Sequence, residues 1–185
     1  MVDEVLSETK SAMQKAVEAF GHEISMVRSG RANASLLDAI RVEYYGSQMP
    51  INQVANIGAP EPRLITIQPW DKTALPAIEK AIMASSRGLV PSNDGTIIRL
   101  PIPQLTEERR EELVRIVRQM AEEGRVSVRN ARRDANEMLK DGQKEGEIPE
   151  DESKRGQDQV QELTDEYVKK VDDLLKEKEE EIMEV

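Results

Sequence analysis

The stretch Thr106–Lys144, TEERREELVRIVRQMAEEGRVSVRNARRDANEMLKDGQK, decides the fold of this 185-residue chain. At 1.5 Å per residue it predicts a single helix about 60 Å long. Thr106 is placed to cap its start, and acidic Glu107 and Glu108 follow in the first turn, where the helix dipole favours anions. Apolar or small residues recur every three or four positions and predict the buried face: Leu113, Val117, Met120, Gly124, Val128, Ala131, Ala135 and Met138.

Arginines form a second stripe on the same predicted helix. With about 100° of rotation per residue, the members that share an arc of roughly 100° are Arg110, Arg118, Arg125, Arg129 and Arg132. Arg115 and Arg133 border this arc, and most acidic residues of the helix, such as Glu123 and Glu137, fall on the third side. A segregated arginine face indicates an anion-binding surface. The alternative is a solvated charged flank, which charge runs usually are.

Two further stretches of the sequence also predict long helices. Residues 2–28 carry an apolar seam made of Leu6, Met13, Val17, Phe20, Ile24 and Val27, and Gly30 is suited to the left-handed conformation that closes a helix. Residues 149–184 carry a third seam made of Val160, Leu163, Tyr167, Val171, Leu174 and Ile182. Three long helices with one seam each predict an antiparallel three-helix bundle.

Residues 31–103 differ in pattern and predict a small inserted domain of α/β character. Short strands are expected at 40–44, 54–57, 64–67 and 96–100, with 59–62 separating the second strand from the third. A short helix carries Leu75, Ile78 and Ile82 on one face, and turns are expected at Gly88 and at 91–95. The predicted class is therefore α+β, with residues 1–30 and 104–185 as the bundle and residues 31–103 as the insertion. The chain passes between bundle and insertion at two short segments, residues 29–31 and 100–103, which we call the first and second crossings. They predict a hinge at Ser29, Gly30, Arg31, Pro101, Ile102 and Pro103.

Composition excludes several kinds of chemistry. The chain has no cysteine, so disulfides and thiol chemistry are excluded, and His22, its one histidine, lies within a predicted helix without catalytic partners in the pattern. Phosphate-binding glycine loops and histidine–carboxylate spacings typical of metal sites are absent from the sequence. We therefore expect a protein that is not an enzyme, without catalytic residues, cofactor or metal.

The charge distribution does not argue against an anionic partner. The formal charge of the chain is −10, but residues 145–185 hold 16 acidic and 6 basic residues, and the rest of the chain holds 20 of each. Screening limits the influence of that acidic end to about 8–10 Å. No apolar run approaches the ~20 residues that span a bilayer, and the start of the chain is unlike a signal peptide. We expect a soluble, cytoplasmic monomer without a membrane partner.

Arginine positions outside the stripe add to the expected binding surface. Arg28 and Arg31 lie where the first helix ends, and Arg110 lies near the start of the second, so these ends are neighbours in an antiparallel bundle. A second group follows at Arg125, Arg129, Arg132 and Arg133. Arginine binds phosphate bidentately, whereas the few aromatic residues of the chain make base stacking a poor source of affinity. Structured RNA, recognised by shape and phosphate position, is the expected partner.

Several motifs, in order along the whole chain, resemble the bacterial ribosome recycling factor family. They are Val27-Arg28-Ser29-Gly30-Arg31-Ala32, Val42-Glu43-Tyr44-Tyr45-Gly46, Ile78-Glu79-Lys80-Ala81-Ile82, Leu105-Thr106-Glu107-Glu108-Arg109-Arg110 and Val128-Arg129-Asn130-Ala131-Arg132-Arg133-Asp134. The resemblance implies an L-shaped molecule in which a small β/α/β sandwich domain is inserted into the bundle. It also implies that the residues facing large-subunit ribosomal RNA include Arg28, Arg31, Arg110, Arg129 and Arg132; we add Arg133 because it borders the stripe.

The resemblance further implies a role after translation termination. Such a factor binds the post-termination ribosome across the tRNA sites of the large subunit and, with the GTPase elongation factor G, splits it into subunits. The insertion would meet elongation factor G, and the factor itself would hydrolyse nothing. Two alternatives stay open from the residues alone: a coiled-coil adaptor whose arginine face binds an acidic protein, and an RNA chaperone that binds many RNAs.

Overall fold

The computed structural model describes residues 1–85 and 89–184, so the turn predicted at Gly88 lies outside the described residues. The chain divides into two compact units, Met1–Ser29 with Glu107–Val185, and Gly30–Thr106. The helices and strands in chain order are α1 (Val2–Ser25), β1 (Arg41–Tyr44), β2 (Ser47–Pro50), β3 (Ala55–Glu61), β4 (Leu64–Pro69), α2 (Leu75–Ala84), β5 (Ser92–Asn93), β6 (Ile98–Pro101), α3 (Glu107–Lys144) and α4 (Glu150–Met183).

The first unit is the predicted three-helix bundle of α1, α3 and α4. Phe20 of α1 packs on Gly124 of α3, and Met1 packs on Gly142, so these two helices are antiparallel. The α4 helix is also antiparallel to α3, because Leu139 packs on Gly156 whereas Arg118 pairs with Glu179. Most of the predicted seams are buried, including Met13, Val17, Phe20 and Ile24 of α1 and Val160, Tyr167, Val171 and Ile182 of α4.

The buried face of α3 differs from the predicted one at its edges. Met120 and Ala131 are only partly buried and Met138 is exposed, whereas Ala121, Leu139 and Gly142 are buried. A strict seven-residue repeat rotates by about 20° per heptad on a straight α-helix. Met138 lies three heptads after Val117, so it has rotated off the buried face and Leu139 has taken its place.

The first crossing also differs from its prediction. The α1 helix ends at Ser25, three residues earlier than expected, so Gly30 does not close it. Gly30 has a φ of +76°, and a Cβ at this position would lie 2.8 Å from Leu105 Cγ. This glycine is therefore required by a left-handed backbone and by a close approach to the second crossing, not by a helix end.

The second unit contains two antiparallel sheets and helix α2. Strands β1 and β2 form a hairpin, and the other sheet has the order β3-β4-β6-β5. Its core joins Ile65 and Ile67 of β4 and Leu100 of β6 to Ile78 and Ile82 of α2. The confirmed fold class is thus a helical bundle with a small antiparallel sheet domain inserted between its first and second helices.

The strands of this unit differ from the prediction in four details. The β2 strand was not predicted, the short β5 strand lies where a turn was expected, and β3 continues to Glu61 through the predicted separator. The β3 strand is an edge strand with a register shift between Gly58 and Glu61, and an edge can hold Pro60 because its missing N–H faces outward. The last strand begins at Ile98, not at Thr96, because the N–H groups of Thr96 and Ile97 donate to the Asp94 carboxylate.

Candidate functional site

The arginine stripe of α3 lies beside α4 and is partly paired with it. Arg118 Nε lies 2.6 Å from Glu179 Oε1, and Arg125 Nη2 lies 2.7 Å from Asp172 Oδ1. Arg132 Nη1 donates to Gln161 Oε1 at 3.2 Å. Part of the acidic excess of α4 is therefore used within the bundle, where it neutralises arginines of α3.

One acidic residue interrupts the predicted segregation of charge. Glu122 lies beside the arginines, and its carboxylate accepts from Arg125 Nη1 at 3.1 Å and from Arg129 Nη1 at 3.4 Å. Burial opposes the charge of Arg125, but its hydrogen bonds to Asp172 and Glu122 hold its pKa above the usual value. Ion pairs of Arg118 and Arg125 thus reach carboxylates of α4, whereas those of Arg129 and Arg133 lie within α3.

The arginines further along α3 line an open groove. Its lining side chains are Arg129, Asn130, Arg132, Arg133, Asn136, Glu137, Lys140, Asp141 and Lys144. Basic residues outnumber acidic ones by five to two there, so the groove is positively charged. The Arg133 side chain is 74% exposed, and its shortest ion-pair distance, to Asp134, is 4.0 Å. Exposed pairs of this kind contribute only about 0.2–1 kcal/mol, so these arginines can exchange them for another anion.

The floor of this groove holds an unsatisfied acceptor. Among the described residues, the buried Oδ1 of Asn136 has no hydrogen-bond partner. The site predicted from the sequence did not include Asn136, Lys140 and Lys144. Their signal was present, because they follow Arg129 and Arg133 at steps of three, four and seven, which place side chains on one face of a helix.

The remaining predicted residues lie apart from the groove. Arg28 is exposed in the segment after α1, and Ser29 Oγ beside it donates to Glu181 Oε1 at 2.7 Å, at the end of α4. Arg110 lies in the first turns of α3, about 28 Å from Arg129 along the helix axis. Its Nε is buried without a hydrogen-bond partner in the described part of the chain. Arg31 is exposed and belongs to the second unit.

Both crossings are fastened to one turn of the second unit. The backbone N–H of Ala32 donates to Pro62 O at 2.6 Å, and that of Ile102 donates to Arg63 O at 2.8 Å. Pro101 ends strand β6. Of the predicted hinge residues, Pro101 and Ile102 are therefore built into the insertion, whereas Ser29 is held by α4.

Neither a metal site nor a membrane span emerges from the described residues. Across residues 1–85 and 89–184, no group of three or more histidine, cysteine, aspartate or glutamate side chains could hold a metal ion. His22 is exposed on α1. A search of the same residues found no helix long and apolar enough to cross a membrane.

Comparison with known proteins gives one consistent family. A sequence model described as ribosome recycling factor matches residues 20–183. The ribosome-recycling factors of Carboxydothermus hydrogenoformans and Bacillus pumilus are each 57% identical over 185 residues, which is 100% of this chain and 100% of theirs. A solution structure of the ribosome recycling factor has 46% identity and a TM-score of 0.71, over 100% of this chain and 98% of that chain.

A second solved structure places such a protein in a larger assembly. It contains models of the T. thermophilus ribosome recycling factor and of the E. coli elongation factor G bound to the E. coli post-termination complex. The matched chain has 50% identity and a TM-score of 0.64, over 99% of each chain.

Proposed function

Because the chain belongs to the ribosome recycling factor family, we propose that it binds the post-termination ribosome and, with elongation factor G and GTP, splits it into subunits. It binds across the tRNA sites of the large subunit, and the released ribosomes return to initiation. The chain catalyses no reaction of its own, because GTP hydrolysis belongs to elongation factor G. It acts in the cytoplasm, where ribosomes translate.

The positive groove on α3 is the observation that carries this proposal. Arg129, Arg132 and Arg133 lie within two turns of one rigid helix, and their exposed partners can be exchanged for phosphates. Arginine keeps its charge and forms paired hydrogen bonds to phosphate, which suits a folded RNA backbone.

Arg28, Arg31 and Arg110 form a second part of the proposed contact with ribosomal RNA, at a different position along the molecule from the groove. Arg28 and Arg110 lie toward the end of the bundle where the insertion departs, whereas the groove lies further along α3. Contacts at two levels of a long bundle fix its direction on an RNA surface as well as its position. We therefore propose a two-point anchor, in which the groove supplies most of the affinity.

The insertion is the part that receives elongation factor G. Its described residues form no arginine stripe like that of α3, so phosphate affinity follows the bundle. We propose that the hinge consists of Gly30, Arg31 and Pro103, with the other predicted hinge residues as its fixed flanks. The backbone hydrogen bonds of Ala32 and Ile102 to the Pro62–Arg63 turn tie both crossings to the insertion, so these two residues move with it.

Binding to large subunits by variants of the groove tests this proposal. We expect Arg129→Ala combined with Arg133→Ala to weaken binding about tenfold or more and to lower the slope of log affinity against log salt by about 0.7–0.9 per lost phosphate contact. Both side chains are exposed, so the melting temperature should change little. Arg155→Ala on α4, also exposed, is the matched control and should bind like the parent.

Two results would contradict the proposed anchor. One is a double variant that binds large subunits with the parent's affinity and salt dependence. The other is a loss of affinity that only follows a loss of folded protein in the melting curve. Binding to many unrelated RNAs with similar affinity would instead favour the RNA-chaperone alternative.

A further inference from the structure

Aromatic side chains are scarce in this protein, and their placement is uneven. The chain has one tryptophan, three tyrosines and one phenylalanine. Phe20 and Tyr167 are buried in the bundle core. The other three are Tyr44, Tyr45 and Trp70 of the insertion. Tyr44 is hydrogen-bonded to Asp71, Tyr45 packs on Tyr44, and Trp70 precedes Asp71 in the chain. We call these four residues the aromatic corner.

Hydrogen bonds hold the aromatic corner together. Tyr44 OH donates to Asp71 Oδ2 at 3.0 Å, and the Tyr44 and Tyr45 rings meet edge to face with centroids 4.5 Å apart. Trp70 precedes Asp71 in the chain and is fixed by its backbone N–H, which donates to Val54 O at 3.2 Å. Tyr45 and Trp70 are nevertheless 84% and 63% exposed, so the corner presents aromatic rings to solvent.

The turn that carries Tyr45 is an unusual position for an aromatic residue. Strands β1 and β2 close at Tyr44 and Ser47, and the two residues between them have φ values of 48° for Tyr45 and 77° for Gly46. Two-residue turns with both φ values positive favour Asn-Gly, because a Cβ in the left-handed region costs about 1–2 kcal/mol. Neither core packing nor turn chemistry therefore explains an exposed tyrosine there, and such strain is typical of functional positions.

Asp71 gives the corner a fixed negative charge. Its Oδ1 accepts from Thr73 N at 3.0 Å and from Thr73 Oγ1 at 2.8 Å, and its Oδ2 accepts from the Tyr44 hydroxyl at 3.0 Å. The hydrogen bonds from Thr73, and then from the tyrosines, hold the pKa of Asp71 below its usual value. The bond to Asp71 raises the pKa of Tyr44 to about 12, so this ring is neutral.

Exposed ring faces beside a carboxylate define the chemistry of the expected ligand. Rings attract cations through their faces, and the negative charge of the Asp71 carboxylate adds to that attraction. A phosphate backbone would be repelled by the same carboxylate. Tyrosine and tryptophan are also the residues most enriched at binding hot spots between proteins. These features fit an arginine or lysine side chain presented by a protein surface.

We infer that the aromatic corner is where the insertion docks on elongation factor G, and that it binds an arginine or lysine of that partner between its rings and Asp71. This inference rests on the proposed function, because the partner is taken from it. It adds the residues that make the contact and the charge of the group they recognise.

Subunit splitting, followed by light scattering at increasing concentrations of elongation factor G with GTP, tests the inference. The variants are Tyr45→Asn, Trp70→Ala and Asp71→Asn. Tyr45→Asn removes the ring but suits the left-handed turn, so the insertion stays folded. Asp71→Asn removes the charge and keeps an acceptor for Thr73. Met83→Ala is the matched control, since Met83 is 65% exposed at the far end of α2.

We expect each corner variant to need about tenfold more elongation factor G, or more, for half-maximal splitting, and the Met83 variant to behave like the parent. Binding to ribosomes without elongation factor G should not change. The single tryptophan gives a direct readout: with Trp70 replaced by 5-hydroxytryptophan, emission should shift when elongation factor G is added to the ribosome-bound protein.

Three results would overturn the inference. One is an unchanged requirement for elongation factor G in all three corner variants. Another is weaker ribosome binding by Tyr45→Asn in the absence of elongation factor G, which would make the corner an RNA contact. The third is stronger docking by Asp71→Asn, which would mean that the ligand is an anion. Failure of the parent protein to split ribosomes at any concentration of elongation factor G would reject the proposed function itself.

Discussion

Gly30 holds a conformation and a space that a larger residue cannot share. Its φ is +76°, and a Cβ would meet Leu105 Cγ at 2.8 Å. We expect Gly30→Ala to destabilise the insertion by about 1–2 kcal/mol for the backbone alone, with a further cost for the contact. Gly46→Ala is the control, because Gly46 has a φ of +77° and nothing within 4 Å of the added Cβ. Urea unfolding of both variants measures the difference.

Equal costs at the two glycines would mean that Leu105 moves aside freely. The Gly30→Ala, Leu105→Ala double variant provides a second check. It should recover the part of the loss that comes from the contact, but not the part that comes from the left-handed backbone.

Asp94 makes the stability of the insertion depend on pH. Hydrogen bonds from the backbone N–H groups of Ile97 and Thr96, and then from Arg99, lower the pKa of Asp94 from 3.8 to about 2. A lowered pKa stabilises the folded state above the unfolded value, and this stabilisation is lost as pH falls through about 2. We expect Asp94→Asn to reduce the decrease in melting temperature between pH 5 and pH 2. A decrease identical to that of the parent would contradict this role.

Individual arginines could be located from sequence, but their partners could not. The angular position of Arg118 and Arg125 follows from 100° per residue. Their pairing with Glu179 and Asp172 depends on which helix lies beside α3 and on the position of that helix along the axis of α3. The position of α4 along α3 is set by packing contacts such as Leu139 on Gly156, which no spacing within α3 contains. The stripe was therefore predictable, whereas its division into paired and exchangeable arginines required the bundle.

At the scale of elements, helix α3 shows how far periodicity alone reaches. Its length and the existence of its buried face were predicted, because apolar spacing records them directly. The error grew toward its C-terminal end, where Met138 was expected in the core and Leu139 lies there instead. Short strands β2 and β5 were missed for a different reason: four- and two-residue strands hold too few side chains to show alternation.

The rotation of the buried face of α3 allows two neighbouring residues to be compared directly. Leu139 is fully buried and Met138 is 46% exposed. We expect Leu139→Ala to reduce the free energy of unfolding by about 2–5 kcal/mol and Met138→Ala by no more than about 0.5 kcal/mol. Chemical denaturation of the two variants measures both values. Similar losses would mean that the buried face follows the strict seven-residue repeat after all.

At the scale of the whole molecule, the proposed function assigns ribosome binding to the bundle and the response to elongation factor G to the insertion. Replacing Ala32–Ile102 with a short Gly/Ser linker keeps α1, α3 and α4 with their buried faces. We expect this bundle to bind large subunits with a salt slope close to that of the full protein, because phosphate neutralisation follows the arginines of α3. It should compete with the full protein for its site and fail to split ribosomes when elongation factor G and GTP are added.

Light scattering decides between the outcomes of this replacement. Splitting by the bare bundle at the normal rate would show that the insertion does not transmit the action of elongation factor G. Loss of binding would show that the insertion supplies part of the affinity. In the second case, the melting curve of the bundle must first show that its three helices still fold together.

The position of the insertion between α1 and α3 also determines when the bundle can form during synthesis. The α1 helix ends at Ser25 and the helix it packs on begins at Glu107. At 5–20 residues per second, about 4–16 s pass between the emergence of the two segments. The insertion is complete before α3 emerges, so it can fold first on the nascent chain. During that interval the apolar seam of α1 lacks the helix on which it packs, so the newborn protein exposes this seam until α3 emerges.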